Sequence, residues 1–306
     1  MSDKPQTDEV SWASDEFAHS KLKDDRLNRR CQKLAATLGH QPTAPINQAC
    51  EDWADSKAAY RFVANPHVTP GDLLLPHRQR TVERMKGHQV VLAVQDTTFF
   101  NFTHHPATQG LGAIGTQGQN QRGFGLHSTL AVTPSGQPLG VLTQEFVARP
   151  LGAPAHTPNE MRKLPIEDKA SYRWLQAFED TSALTPDGTQ VVTVCDREAD
   201  IYAMFVMAED RQAALLVRAD ANRCLQDAEV KHLWPKVEQQ PVQGALSVLI
   251  TGNDRRKARQ ATVALRYCTV RLRPPWRPEQ KKLPAVTLQA ILVREEHPPA
   301  NLAELG

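Results

Sequence analysis

Apolar residues in the first 70 positions recur at the three- and four-residue spacing of helices. Between Leu22 and Leu38 they form one stripe, which predicts a helix with a buried side. A second helix is predicted from Ile46 to Val63, with Trp53 and Tyr60 packed in the core, and a third from Pro70 to Lys86. The basic residues of the first helix fall together on an adjoining face, and they are Arg26, Arg29, Arg30 and Lys33. The pattern therefore predicts a small helical bundle with a cationic side.

The hydrophobic period changes at Val90, where runs of aliphatic and β-branched residues replace the helical pattern. The first run ends at Asp96, and a second run is followed by Asp196. A hairpin at residues 128–149 and a helix at residues 166–178 are predicted between the two runs. Further strands are predicted at residues 214–218, 245–251, 260–273 and 285–294. The chain as a whole is predicted to be α/β, with helices first and strands afterwards.

The two aspartates that follow these strands suggest a metal site. A carboxylate at the end of a buried strand leaves the core and faces a cleft, where two carboxylates can share a divalent ion. Each residue also has a structural explanation, since Asp196 could cap the following helix and Asp96 could close a turn. The chain order favours the first hypothesis. A strand with an aspartate, a hairpin, a helix and a second strand with an aspartate is the order of an RNase H-like mixed sheet.

Composition excludes several classes of protein. In 306 residues no run approaches the roughly 18 apolar residues of a membrane span, and the first residues lack the apolar core of a signal peptide. The five cysteines are scattered and form no C-x-x-C pair, which argues against a disulfide framework or a cysteine zinc site. We expect reduced thiols, a cytoplasmic location and no membrane partner.

The net charge of +2 is distributed unevenly along the chain. Between Thr251 and Lys282 ten basic residues stand against two acidic ones, which gives a local charge of +8. Such an excess suits a polyanion such as DNA, and a solvated basic loop is the alternative. The candidate DNA-binding residues of this stretch are Arg255, Arg256, Lys257 and Arg259.

Several strings of the sequence resemble IS4/Tn5-type transposases over essentially the whole chain. They are Ser56–Phe62, Asn65–Val68, Gln95–Thr98, His127–Ser128 and Val194–Ile201. The resemblance implies a domain at residues 1–70 that binds the double-stranded DNA of transposon ends. It further implies an RNase H-like catalytic core at residues 71–218 and a basic, β-rich insertion at residues 219–306. It also adds Lys57, Tyr60 and Arg61 to the candidate DNA-binding residues, which on the first helix are Arg26, Arg29, Arg30 and Lys33.

The resemblance implies a metal-dependent reaction as well. In such enzymes two Mg²⁺ or Mn²⁺ ions, held by two aspartates and a glutamate, support DNA strand cleavage and transfer. Asp96 and Asp196 correspond to the two aspartates. The glutamate belongs to a Tyr-x₂-Arg-x₃-Glu-x₆-Lys pattern, which none of the four tyrosines fits. The sequence therefore predicts an RNase H-like core that is incomplete at its carboxyl end, truncated before the glutamate.

Two functions remain open at this point. The first is a truncated transposase that binds transposon ends, as a homodimer or otherwise, and has lost its ancestral strand cleavage. The second is a non-catalytic DNA-binding inhibitor that occupies transposon ends or forms mixed dimers with a full-length transposase. Both predict DNA as the partner, and they differ in role, since the first is the remnant of a strand-cleaving enzyme and the second is an inhibitor of an active one.

Overall fold

The computed structural model describes residues 9–114, 121–150, 157–226, 229–252, 257–276 and 283–298. Within these ranges helices precede a mixed sheet, so the predicted α/β class is confirmed. The chain divides into two compact units. The first contains Met1–Ala155, Tyr172–Cys195 and Ala213–Leu216, and the second contains His156–Ser171, Asp196–Gln212 and Val217–Gly306. The sequence-based division at residues 70 and 218 stays a prediction.

The first unit opens with helices. They are α1 (Glu9–Glu16), α2 (Asp25–His40), α3 (Ile46–Ala49), α4 (Trp53–Val63) and α5 (Pro70–Met85). The single helix predicted from Ile46 to Val63 is thus two helices. The reason is Asp52, whose side chain accepts a hydrogen bond from the backbone N–H of Asp55 at 2.8 Å and so begins α4.

A small apolar core holds α2 and α4 together. Its buried side chains are Leu22, Cys31, Leu34, Ala59 and Phe62. On α4 the buried positions recur every three residues, at Ser56, Ala59 and Phe62. The prediction that Trp53 and Tyr60 belong to this core is wrong, because their side chains are 77% and 51% exposed. Trp53 is the first residue of α4 and lies on the side opposite Ala59 and Phe62.

Helix α5 connects these helices to the sheet of the first unit. Glu16 of α1 accepts hydrogen bonds from the Arg84 guanidinium at 2.8 and 2.9 Å, and its Oε1 lies 2.6 Å from His77 Nδ1. Burial raises the pKa of Glu16, but Arg84 and His77 outweigh this, and the net pKa is lowered. Arg84 Nε also donates to the carbonyl of Leu139 at 2.6 Å. The two basic residues of α5 therefore link α1 to the sheet.

The sheet of the first unit is mixed. Its strands are β1 (Val90–Asn101), β2 (Gly112–Ile114), β3 (Gln121–Val132), β4 (Pro138–Val147), β5 (Gln190–Cys195) and β6 (Ala214–Val217). They follow the order β2-β3-β1-β5-β6, and β4 pairs with β3. Strand β1 is antiparallel to β3 and parallel to β5. Along the chain, α6 (Pro158–Lys163) and α7 (Tyr172–Ala183) separate β4 from β5.

Strand β1 is longer than its apolar run predicts. The run ends at Asp96, but pairing with β3 continues to Asn101, which lies opposite Gly123. The residues after Asp96, among them Thr98, Phe99 and Phe100, are themselves good strand formers. The parallel pairing with β5 is shorter and ends at Val94. Asp96 therefore lies within β1, two residues beyond the end of the parallel pairing.

The second unit contains the other β structure. Its helices α8 (Tyr202–Arg211) and α9 (Leu233–Glu238) pack with a sheet of β7 (Gly244–Ile250), β8 (Arg259–Leu272) and β9 (Val286–Glu295). The strands are antiparallel in the order β7-β8-β9. Tyr202 is buried in the core, and its hydroxyl donates toward the carbonyls of Leu272 and Pro284 at 3.2 and 2.8 Å. In the described parts of both units, no helix is long and apolar enough to cross a membrane.

Candidate nucleic-acid interface

Helix α4 presents an aromatic and basic surface, which we call the α4 outer face and define as Trp53, Lys57, Tyr60 and Arg61. These residues follow the i, i+4, i+7, i+8 spacing of one helix side. All four are exposed, with 77% exposure for Trp53 and 51% for Tyr60. Neither Lys57 nor Arg61 has a polar or ionic partner within the described residues. The α4 outer face therefore combines two free cations with two accessible rings.

The predicted cationic side of α2 is partly neutralised. Arg30 Nη1 donates to Asp55 Oδ1 at 3.2 Å, and Lys33 Nζ lies 2.8 and 2.6 Å from the two oxygens of the same carboxylate. The hydrogen bond from Lys33, together with the Arg30 charge, lowers the pKa of Asp55. The structure thus brings Arg30 and Lys33 together at α4, where they form a bridge between the two helices.

Arg26 and Arg29 are the outer members of the same side of α2. The Arg26 side chain is 85% exposed, and one of its nitrogens lies 3.7 Å from Asp24. Asp24 is the residue that caps α2, since its side chain accepts from the backbone N–H of Leu27 at 2.9 Å. Arg29 is exposed and has no ionic partner in the described part of the chain. These two arginines remain accessible to a ligand.

The basic region of the second unit is partly paired. Arg259 of β8 and Glu295 of β9 form a bidentate ion pair, with N···O distances of 2.6 and 2.7 Å. Arg266 and Glu296 form another at 2.7 and 3.2 Å. Lys257 is exposed just before β8, whereas the predicted contacts Arg255 and Arg256 lie outside the described residues. The high local charge of the sequence is therefore reduced by glutamates that lie further along the chain.

Asp96 is an exposed residue of β1 opposite Ser128 of β3. Its neighbour Gln95 is only 2% exposed, and the Cys195 thiol donates to Gln95 Oε1 at 3.7 Å. This contact joins the last residue of β5 to β1. Asp96 directly follows Gln95 in the chain, and Asp196 directly follows Cys195.

A buried polar network supports β1 beside Asp96. Thr97 Oγ1 lies 2.8 Å from His127 Nδ1 of β3 and accepts from Arg173 Nε of α7 at 3.0 Å. The imidazole is fully buried, and its ring meets the Trp174 ring edge to face at 4.5 Å. Burial, and to a smaller extent the Arg173 charge, lowers the pKa of His127 to about 4. His127 is therefore neutral at pH 7 and serves as a structural group.

The acidic string after β5 has structural roles. Asp196 Oδ1 accepts from the backbone N–H of Glu198 at 2.8 Å and caps a short 3₁₀ helix at Arg197–Ala199, as the capping explanation predicts. Asp200 is held by Arg223, whose Nε donates to Oδ1 at 2.8 Å. No group of three or more His, Cys, Asp or Glu residues in the described ranges is arranged to hold a metal ion. Asp96 and Asp196 thus remain a predicted pair without a described third ligand.

Residues 9–68 match the family model for transposase DNA-binding. The matched span begins with α1, includes the whole α4 outer face and ends just before α5. It also contains Arg26, Arg29, Arg30 and Lys33. The match supports a transposase, and it supports DNA as the partner of these helices.

The residue that sequence reasoning missed in this interface is Trp53. Its size and apolar character favour a core position when each residue is considered alone. The signal that identifies it is the position of its neighbours, because Lys57, Tyr60 and Arg61 share its side of the helix. Counting the exposed side of α4 residue by residue would therefore have placed Trp53 with the cations.

Proposed function

We propose that this chain is an IS4/Tn5-type transposase whose N-terminal helices bind the duplex DNA of transposon ends through the α4 outer face. The observation that carries the proposal is that two unpaired cations and two exposed rings share one side of a helix inside the matched span. Cationic side chains without acidic partners can bind phosphates and release counterions without first losing an ion pair. Exposed aromatic rings add apolar contact with sugars and bases.

The spacing on α4 suits such a role. Lys57 and Arg61 are one helical turn apart, about 6 Å along the axis, so they can contact neighbouring phosphates of one strand. Tyr60 lies between them and can donate its hydroxyl to a phosphate oxygen. Trp53 extends the same side by one further turn. These contacts position the helix on the duplex, and sequence is read by whichever of these groups reaches base edges.

A second part of the proposal concerns catalysis. We infer that Asp96 and Asp196 hold Mg²⁺ or Mn²⁺, which in RNase H-like enzymes activates the attacking oxygen and stabilises the phosphoryl transition state. The sheet supports this proposal, because β1 lies between an antiparallel hairpin strand and the parallel strand β5. The chemistry of the donors fits the ion, since Mg²⁺ prefers carboxylate oxygens. Both aspartates are exposed.

The rival function is a non-catalytic DNA-binding protein that competes with, or forms mixed dimers with, an active transposase. Two observations favour it. No third acidic ligand joins the aspartates among the described residues, and one oxygen of Asp196 is already used as a helix cap. A site of two carboxylates is expected to bind a single ion weakly and to leave DNA strands uncut.

Selection from a random duplex pool tests the DNA-binding proposal. The full chain is incubated with the pool at low salt, and bound duplexes are amplified over several rounds. Enrichment of one sequence, lost in the Lys57→Gln/Arg61→Gln variant, is the expected result. Failure to bind any duplex at low salt contradicts the proposal.

Strand cleavage tests whether any catalytic activity is retained. The full chain is incubated with supercoiled plasmid and Mn²⁺, next to an Asp96→Ala control of the same preparation. The rival predicts no nicking by either protein. Nicking that disappears in the Asp96→Ala control identifies an active enzyme with a third ligand elsewhere in the chain.

A further inference from the structure

An aromatic surface lies on the part of the sheet that extends beyond β5. Phe100 of β1 stacks on Phe124 of β3 with ring centroids 5.1 Å apart, and Phe124 meets Phe146 of β4 at 5.7 Å. We call these three residues the aromatic patch. The side chain of Phe146 is 54% exposed and that of Phe100 is 39% exposed. Rings this accessible, in contact with one another, form a surface rather than a core.

The aromatic patch shares a sheet face with Asp96. Side chains alternate along a strand, so Asp96, Thr98 and Phe100 point to one side of β1. The pairing of Phe100 with Phe124 puts both rings on that side. Phe100 lies four positions after Asp96, a distance of about 13 Å along the strand. His127 and Arg173 meet Thr97, which points to the opposite face.

Basic side chains border the aromatic patch. Arg122 precedes Phe124 by two residues and therefore lies on the same face of β3. On the turn after β1, the exposed His105 ring lies 5.8 Å from Phe102, and Phe102 stacks on Phe124 at 5.8 Å. The patch thus combines planar rings with a nearby guanidinium and an imidazole. This chemistry suits unpaired nucleotides, whose bases stack on aromatic rings and whose phosphates bind basic side chains.

We infer that the aromatic patch binds unpaired bases of a DNA strand whose backbone passes Asp96. The inference rests on the proposed function, and it assigns a separate surface from the α4 outer face. Two observations choose DNA over an apolar protein partner: the patch continues the face of the proposed acidic site, and the Arg122 guanidinium lies at its border. A distance of about 13 Å is roughly four nucleotide steps at the spacing of about 3.4 Å between stacked bases, and fewer steps where the unpaired strand is extended. A strand end bound at Asp96 can therefore reach the rings with its next few bases.

The test compares two DNA probes that differ only in a single-stranded tail. One is a blunt duplex, and the other carries a four-nucleotide tail with 2-aminopurine, whose fluorescence is quenched by stacking. We expect Phe146→Leu to weaken binding of the tailed duplex by about tenfold, the size of one base–aromatic contact, and to relieve the quenching. Binding of the blunt duplex stays unchanged. Phe99→Leu is the matched control, because Phe99 is also 54% exposed but points to the other face.

A ring-conserving variant separates stacking from simple apolar contact. Phe146→Tyr keeps the ring and is expected to retain wild-type affinity and quenching for the tailed probe. Equal affinity of wild type and Phe146→Leu for the tailed probe, with blunt-duplex binding intact, overturns the inference. So does a change of oligomeric state without a change of DNA affinity, since it assigns the aromatic patch to a protein partner. Loss of all duplex binding by the wild-type chain would instead contradict the proposed function.

Discussion

Two regions of this protein are rich in basic residues, and they differ in what those residues contact. On the α4 outer face, Lys57 and Arg61 have no partner within the described residues. On β8, Arg259 and Arg266 each bind a glutamate of the β9 end through two hydrogen bonds. The sequence gives β8 and its flanking loops the larger local charge. Within the described residues both cations of the α4 outer face are unpaired, whereas two of the three arginines of β8 are paired and Arg271 is exposed without a partner.

The difference shows why charge counted along a sequence is a poor guide to a DNA interface. In a bidentate arginine–carboxylate pair, the carboxylate already occupies the guanidinium N–H groups that a phosphate would bind. Binding DNA through such an arginine either breaks the ion pair or brings the negatively charged glutamate close to a negatively charged phosphate. A lysine or arginine surrounded only by water has no such cost. We therefore expect α4, and not β8, to dominate binding.

The largest expected effect on DNA affinity comes from replacing Trp53. The comparison uses the two most exposed tryptophans, one in each region. Trp53 is 77% exposed on the α4 outer face, and Trp276 is 84% exposed after β8. Trp53→Ala should weaken binding of a selected duplex by about tenfold, as loss of an aromatic interface anchor does. Trp276→Ala should leave affinity unchanged. Fluorescence anisotropy with labelled duplex measures both, and a larger loss for Trp276→Ala would reverse the comparison.

A smaller effect on DNA affinity is expected when Arg30 and Lys33 of α2 are released from their ion pairs with Asp55. Asp55→Asn removes the carboxylate that holds Arg30 and Lys33. DNA binding should tighten, and the slope of log affinity against log salt should steepen by about one unit as one further phosphate contact forms. The free energy of unfolding should fall by about 0.5–1 kcal/mol, as for other partly exposed ion pairs.

The control for Asp55→Asn is Asp25→Asn, which changes the net charge equally at an exposed site of α2. It should leave the salt slope unchanged. Equal slopes for the two variants would mean that general charge, and not release of Arg30 and Lys33, explains the gain.

The smallest expected effect reports on the ion pair of β8 itself. The hydrogen bonds from Arg259 lower the pKa of Glu295 below its ordinary value of 4.5. Because the folded pKa is the lower one, the pair stabilises the fold above pH 4.5, and this contribution is lost as pH falls through the lowered pKa. In Arg259→Gln the pKa of Glu295 should rise back toward 4.5. An NMR titration measures it, with Glu296, which remains paired with Arg266, as the unchanged internal control.

Much of the fold is predictable from local pattern. Most strands of both sheets follow from their apolar runs, although β2 and the start of β3 at Gln121 do not, and α5 follows from a proline and an acidic residue in its first turn. The extension of β1 past Asp96 is not predictable in this way. It depends on pairing with β3, and the partner residues lie 22 to 30 positions later in the chain. The break between α3 and α4 is local, but Asp52 resembles an ordinary surface residue until its cap is seen.

The candidate site was predicted less completely than the fold, because its properties depend on distant partners. Lys57, Tyr60 and Arg61 follow from the resemblance, whereas the exposure of Trp53 follows from the packing of α4 against α2. The pairing of Arg259 with Glu295 joins residues 36 positions apart, which no local charge pattern reveals. Asp196 was expected either to cap a helix or to bind metal. Its cap is visible, and its metal role stays a proposal.

The salt dependence of duplex binding tests the central claim most directly. Two double variants, Lys57→Gln/Arg61→Gln and Arg259→Gln/Arg266→Gln, remove equal charge from the two regions. Each lost phosphate contact lowers the slope of log affinity against log salt by about 0.9. The account predicts a decrease of about 1.8 for the α4 variant and almost none for the β8 variant. An equal or larger decrease for the β8 variant would contradict it.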